Sequence, residues 1–224
     1  MSSAGGAVVV RRGPREVPSA TVGRLPRYLR ALAAIASQGV TTTSSPALAA
    51  AAGVGSAQVR KDLSFLGAHG MRGVGYDVAH LSRQLTVTLG LTSQRRVVIV
   101  GVGHLGHALA SYSGLRGRNF VVVALVDADP LVVGSTVAGL EVQPAAHLAR
   151  VVIASGATIA VIATPAEAAQ EVCDAVVAAG VTGVLNFASH ALRVPPTVDV
   201  RAVDLGCELA ILAFHDRRKA EISG

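Results

Sequence analysis

Tryptophan is absent from this sequence, and Phe and Tyr together supply only seven of its 224 residues. A core with so few rings must rest on Ala, Val, Leu and Ile, which suits tightly packed helices laid against valine-rich strands. Cysteine is nearly absent too. Cys173 and Cys207 stand far apart with no C-x-x-C spacing, which excludes a disulfide framework and a cysteine zinc site and leaves each as a small apolar residue. No apolar run approaches the roughly 18 residues that span a bilayer, and the stretch 7–10 is too short for a signal-peptide core. The expectation is a cytoplasmic protein with no membrane partner. Acidic residues are scarce in one part only. Through Gly90 there are ten Lys/Arg against three Asp/Glu, a net +7, whereas the remainder holds ten against eleven, a net −1. A basic module joined to a near-neutral one points to a polyanion partner for the first and a different task for the second. The length also favours two domains over one.

What is present divides the chain into an arm at 1–17, a DNA-binding domain at 18–90, a dinucleotide-binding domain at 91–204 and a C-terminal helix at 205–224. The arm mixes Ser, Gly, Pro and Arg without periodicity, and its Arg11, Arg12 and Arg15 could brush phosphates. Over 18–39, Leu25, Leu29, Leu32, Ala33 and Ile35 recur at helical spacing, with Pro26 early enough to be tolerated. Ser45 before Pro46 reads as the cap of a short helix, and after Gly53-Val54-Gly55 a second helix opens at Ser56 and runs to about Leu66. Two helices joined by a glycine turn make a helix-turn-helix. The four glycines between Gly67 and Tyr76 suit the wing of a winged helix, and Asp77 can cap one more helix. Beyond a linker at 90–94, strands expected near 96–100, 120–126, 158–163, 182–187 and 198–203 alternate with helices. The fold class is therefore α/β, a winged-helix head followed by a Rossmann-type, mainly parallel sheet.

The phosphate-binding motif is Gly101-Val102-Gly103-His104-Leu105-Gly106, placed between a strand and a helix. The first glycine permits the tight turn, the second lets backbone amides approach a pyrophosphate, and the third lets the helix pack on the strand. Asp127 lies 21 residues past Gly106 at the end of the second strand, where its carboxylate can take ribose hydroxyls and repel a 2′-phosphate. NADH and NAD+ are thus the expected ligands. Thr164, Pro165, Asn186 and Phe187 close strands at the ligand-binding edge and are candidate walls for the nicotinamide half. Hydride transfer would need an acid or base beside that ring. No such constellation assembles, and His190 alone follows a cofactor-facing loop. For DNA, the second helix of the head is the natural major-groove reader, with Ser45, Ser56, Gln58, Arg60, Lys61 and Ser64 as candidate contacts and Arg72 on the wing.

These residues carry a resemblance. Pro18-Ser19-Ala20-Thr21, Arg24-Leu25-Pro26-Arg27-Tyr28, Gln58-Val59-Arg60-Lys61-Asp62-Leu63-Ser64 and Arg72-Gly73-Val74-Gly75-Tyr76-Asp77 in the head closely resemble Rex, the redox-sensing repressor family of Gram-positive bacteria. The likeness continues through the glycine motif, Asp127-Ala128-Asp129-Pro130, Thr164-Pro165-Ala166-Glu167 and Leu185-Asn186-Phe187-Ala188 to Val203-Asp204-Leu205. It implies a homodimer whose C-terminal helix swaps onto its partner, and which grips palindromic operator DNA until NADH releases it. It further implies a switch formed by Arg24, Tyr112 and Asp204. The chain departs from the family pattern at His104, Ser113, Ser189 and Ala210, positions near the nicotinamide and the subunit contact.

The expected function is a redox-sensing transcriptional repressor, not an enzyme. Two alternatives stand beside it: an NAD-dependent oxidoreductase with an incidental basic head, and a DNA-binding regulator that senses another nucleotide such as coenzyme A.

Overall fold

The computed structural model describes residues 17–71 and 73–223. The chain divides into two compact units, Met1–Thr92 and Ser93–Gly224. The expected flexibility of the arm and the wing position of Arg72 fall on residues outside those described.

In the first unit the helix expected over 18–39 is broken. A single turn, α1 (Ser19–Val22), precedes α2 (Leu25–Ser37). The proline accounts for the break: Pro26 has no N–H to continue the ladder from α1, so it sits in the first turn of a new helix, where that donor is not needed. A two-residue strand, β1 (Thr42–Thr43), leads into α3 (Ser45–Ala52). Its cap is Ser44 rather than Ser45: the Ser44 hydroxyl accepts from the Ala47 amide at 3.2 Å, and Ser45 is the first helical residue. Gly53 ends α3 in the left-handed region, and α4 (Ser56–Phe65) follows from Gly55 with no side-chain cap, so Ser56 also lies one position inside its helix. The segment after α4 doubles back where Met71 and Gly75 exchange backbone hydrogen bonds of 2.8 Å each way. It then forms β2 (Tyr76–Asp77), antiparallel to β1. Gly75 has φ +96°, and a Cβ there would lie 2.3 Å from the Thr43 carbonyl oxygen, so the wing can lie against β1 only with glycine at this position. Asp77 caps α5 (Val78–Thr88) through the His80 amide, as the sequence suggests. Leu25, Tyr28, Leu32, Leu48, Val59, Leu63, Leu81 and Leu85 close a core between these helices.

The second unit is built on β3 (Arg95–Val100), whose Val97, Val98, Ile99 and Val100 are all buried because helices cover both faces of a parallel sheet. Two short helices, α6 (His104–Ala110) and α7 (Ser113–Arg116), lead to β4 (Phe120–Asp127). A hairpin follows in place of a crossover helix: β5 (Thr136–Val137) pairs antiparallel with β6 (Leu140–Pro144). The chain continues through a 3-10 turn to α8 (Leu148–Ser155), β7 (Ile159–Ile162), α9 (Ala166–Ala178), β8 (Gly183–Asn186), β9 (Asp199–Ala202) and α10 (Leu205–Ser223). The strand order is β5-β6-β4-β3-β7-β8-β9, and every neighbouring pair except β5 and β6 is parallel. Counted from β3, this is the doubly wound order of a Rossmann fold, with its reversal between β3 and β7. Alternation along the strands splits the core in two. Val98, Val100, Val126, Ala160 and Ile162 meet α8 and α9 on one face, while Val97, Ile99, Leu125 and Val161 pack with Val102 and Val142 on the other. Cys173 lies in the first cluster as an apolar residue, and burial pushes its thiol pKa up.

Candidate functional site

The strand-order reversal opens a cleft of about 460 Å³ at the carboxyl ends of β3 and β7, lined among others by Gly101, Gly103, Asp127, Asp129, Thr164 and Pro165. The three glycines of the motif do three different things. Gly101 has φ +92°, and a Cβ on it would lie 2.6 Å from the Ala163 carbonyl oxygen, so the turn packs directly on the end of β7. A Cβ on Gly106 would fall 1.9 Å from the Gly101 carbonyl oxygen, which is how closely α6 approaches the turn. A Cβ on Gly103 would meet nothing within 4 Å. Packing explains the first and third glycines but not the second, which leaves bare backbone on open space in the cleft, where a ligand's anionic group could sit.

Asp127 closes the neighbouring wall. Its Oδ2 accepts from the Val102 amide at 2.5 Å and its Oδ1 from the Asp129 amide at 2.8 Å, which fixes the carboxylate at the end of β4. On the opposite wall the Thr164 hydroxyl is buried and has no hydrogen-bond partner, a state that a bound polar ligand or water would relieve. An open cradle, a fixed carboxylate and an orphaned hydroxyl fit a dinucleotide.

The other sequence candidates divide. Val102 and Gly106 are buried supports, while His104 and Leu105 are exposed beside the cradle. Asn186 is buried and engaged internally: its Nδ2 donates to the His190 carbonyl at 2.8 Å, and its Oδ1 accepts from the Ala188 amide at 3.0 Å. It therefore shapes the loop after β8. Phe187 packs into the core beneath the sheet. His190 is exposed on that loop, and among the described residues no group of three metal-ligating side chains assembles.

In the head, Arg60, Lys61 and Ser64 are exposed on α4, Ser45 and Ser56 are half-buried, and Ser45 reaches the Tyr76 hydroxyl at 3.5 Å. The residue that sequence reasoning missed is Asp62. It is fully buried in α4 and collects five hydrogen bonds. Thr21 donates to Oδ1 at 2.9 Å, Arg24 donates to both oxygens at 2.6 and 2.8 Å, Tyr28 donates to Oδ2 at 2.6 Å and Gln58 donates to Oδ1 at 2.8 Å. Burial alone would raise this carboxyl, but the donors, led by Arg24, outweigh it and hold it well below the usual carboxylate range. Burial, and then the bond to Asp62, push the Tyr28 phenol up to about 12. A charge at an inward helical position, between Val59 and Leu63, was the available signal.

The three residues that the resemblance implies as a switch are placed as follows. Arg24 is engaged bidentately by Asp62, and separating such a pair would leave a buried charge uncompensated. Its role in this structure is to pin α4 to the start of α2. Arg27 and Arg30 of α2 are exposed. Tyr112 is 58% exposed and borders a small cleft with Arg116, Phe120 and Leu140. Asp204 is exposed at the start of α10, where the Gly206 and Cys207 amides and the Cys207 thiol donate to it; these bonds, the thiol's first, lower its pKa. The described side chains of α10 are all exposed, including Leu205, Leu209, Leu212 and Phe214. Among the described residues no helix is long and apolar enough to cross a membrane.

Two family models match the chain. Residues 16–64 match one described as "Putative DNA-binding protein N-terminus", and residues 92–190 match a CoA binding domain. The chain is 58% identical to the redox-sensing transcriptional repressor Rex of Streptomyces avermitilis over 206 residues, covering 92% of this chain and 82% of that protein. It is 44% identical to the Rex of Desulfitobacterium hafniense over 200 residues, 89% of this chain and 95% of that protein. Among solved structures, RSP in complex with β-NAD+ and operator DNA superposes with a TM-score of 0.85 at 30% identity, over 92% of this chain and 95% of that one. RSP in complex with β-NADH gives the same TM-score at 29% identity, over 93% and 98%.

Proposed function

This chain belongs to the Rex family of redox-sensing transcriptional repressors, and from that premise we propose how its two units act. It is a repressor and not an enzyme: the head binds operator DNA, the Rossmann unit binds NADH or NAD+, and NADH weakens the grip on DNA. The cofactor's part is to report the redox balance of the nicotinamide pool. The observation that carries this reading is a reader helix with Arg60 and Lys61 exposed, in the same chain as a glycine cradle left open at Gly103.

The residues take the following roles. Backbone amides around Gly101 to Gly103 receive the pyrophosphate, Asp127 accepts from ribose hydroxyls, and Thr164 offers its unpartnered hydroxyl to the ligand. Arg60, Lys61, Ser64 and Arg72 contact DNA, with Ser45 and Ser56 flanking them. The protein acts in the cytoplasm as a homodimer in which α10, with its exposed leucines, covers the partner subunit, and the two-fold symmetry calls for a palindromic operator. Tyr112 and Asp204 belong to the switch. Its arginine comes from the exposed Arg27 or Arg30, because Arg24 is held by Asp62. NADH acts only through a difference in its affinity for the DNA-competent and released states.

The match to a CoA binding domain favours a second reading, in which coenzyme A occupies the same cleft. Coenzyme A carries a phosphate on its ribose, which the fixed Asp127 carboxylate would repel. A gel shift on genomic fragments, with NADH, NAD+ and coenzyme A varied independently, tests both readings. Release by NADH alone supports the first, and indifference to NADH rejects it.

A further inference from the structure

Gln58 occupies the first turn of α4, and its amide is not free to rotate. Its Nε2 donates to Oδ1 of Asp62 at 2.8 Å, and that carboxylate is itself immobilised by Thr21, Arg24 and Tyr28. A carboxylate can only accept, so the nitrogen end of the amide must face Asp62. The carbonyl oxygen then points to the other side. Among the described residues nothing donates to Gln58 Oε1, and it is not among the buried unsatisfied atoms, so it is open to solvent. It shares a helix with the exposed Arg60 and Lys61.

Resting on the DNA-binding reading above, we propose that Gln58 determines specificity as an obligate hydrogen-bond acceptor. Its Oε1 accepts a hydrogen bond from the exocyclic amine of adenine or cytosine in the major groove, and Asp62 is the positioning residue that fixes this polarity. An unconstrained glutamine can present either end of its amide, and so can approach guanine or thymine oxygens as a donor as readily as it accepts from an amine. Here Asp62 removes that ambiguity. The major-groove edge shows an amine only on adenine (N6) and cytosine (N4), so the contact discriminates against guanine and thymine at one position per half-site.

The experiment uses the full chain and an operator that it retards. Each half-site adenine is replaced in turn by purine riboside, which lacks the N6 amine, and each cytosine by 2-pyrimidinone, which lacks the N4 amine. Affinities are measured for the wild type, Gln58→Met and Asp62→Ala. One position per half-site should show a loss of about fivefold or more for the wild type and none beyond baseline for Gln58→Met; the analogue that produces it tells adenine from cytosine. Folded Asp62→Ala should lose the same discrimination while keeping its dependence on Arg60. Should Asp62→Ala fail to fold, the comparison of wild type with Gln58→Met still decides. If every amine deletion costs both proteins equally, the inference is overturned while the repressor reading stands. If no duplex is retarded at all, it is the repressor reading that fails.

Discussion

Gly103→Ala separates packing from ligand binding within a single motif. Gly103 has φ −64° and ψ −167°, extended backbone open to any residue, and a Cβ there meets nothing within 4 Å. The folded protein therefore loses nothing, while the unfolded chain loses freedom, so stability should rise by about 0.4 to 1 kcal/mol. The new methyl, however, occupies the space in which a pyrophosphate must approach the backbone. Losing one hydrogen bond to a charged group costs about 1.5 to 3 kcal/mol, so NADH should bind roughly 10- to 150-fold more weakly. Gly106→Ala is the contrasting case: its Cβ would fall 1.9 Å from the Gly101 carbonyl oxygen, so the melting temperature itself should fall. Reduced-nicotinamide fluorescence titrations and thermal melts of both variants give the comparison. A Gly103→Ala protein with a raised melting temperature and undiminished NADH affinity would refute the placement of the pyrophosphate.

Asp127→Ala should weaken NADH binding while leaving operator binding by the ligand-free protein intact, and it should lower stability by about 1 kcal/mol for each of the two backbone amides it satisfies; calorimetric titration and gel shift read the two effects. Arg60→Ala or Lys61→Ala should weaken operator binding, by about 1 to 3 kcal/mol where a base is read, with NADH affinity unchanged by the same fluorescence titration. Asp62→Ala should destabilise the head by about 1 to 3 kcal/mol for each buried donor it leaves unpaired, the Thr21 and Tyr28 hydroxyls. Because the folded pKa of Asp62 lies below its ordinary 3.8, its contribution is present in full above that value and is lost as the pH falls toward the folded one. Urea melts followed by tyrosine fluorescence should show this acid loss in the wild type and its absence in Asp62→Asn. Two of the three tyrosines, Tyr28 and Tyr76, report from the head.

The parts legible in the sequence were those set by local pattern. The strand expected near 96–100 forms with Val97 to Val100 buried, the glycine spacing marks a cradle at its end, and the cap at Asp77 needs only its own neighbours. The parts that escaped depend on distant partners or on short elements. The hairpin of β5 and β6 was missed because Leu140–Pro144 is short and ends in proline, and its place as a parallel neighbour of β4 comes from the sheet. Asn186 looked like a ligand wall, yet its amide is used by the loop that it opens. Asp62 lies between the inward-facing Val59 and Leu63 of the reader helix and is fully buried. Its burial is possible only because Thr21, Arg24 and Tyr28 arrive from 34 to 41 residues upstream, and nothing within α4 announces them.

The most direct test fixes the total dinucleotide concentration and varies only the ratio of NADH to NAD+, while fluorescence anisotropy follows a labelled operator bound by the full-length protein. Occupancy of the DNA should fall as the reduced fraction rises, and Gly103→Ala should need far more NADH for the same release. Anisotropy that tracks total dinucleotide, or that stays constant across the ratio, would contradict the coupling between the glycine cradle and the DNA-reading head.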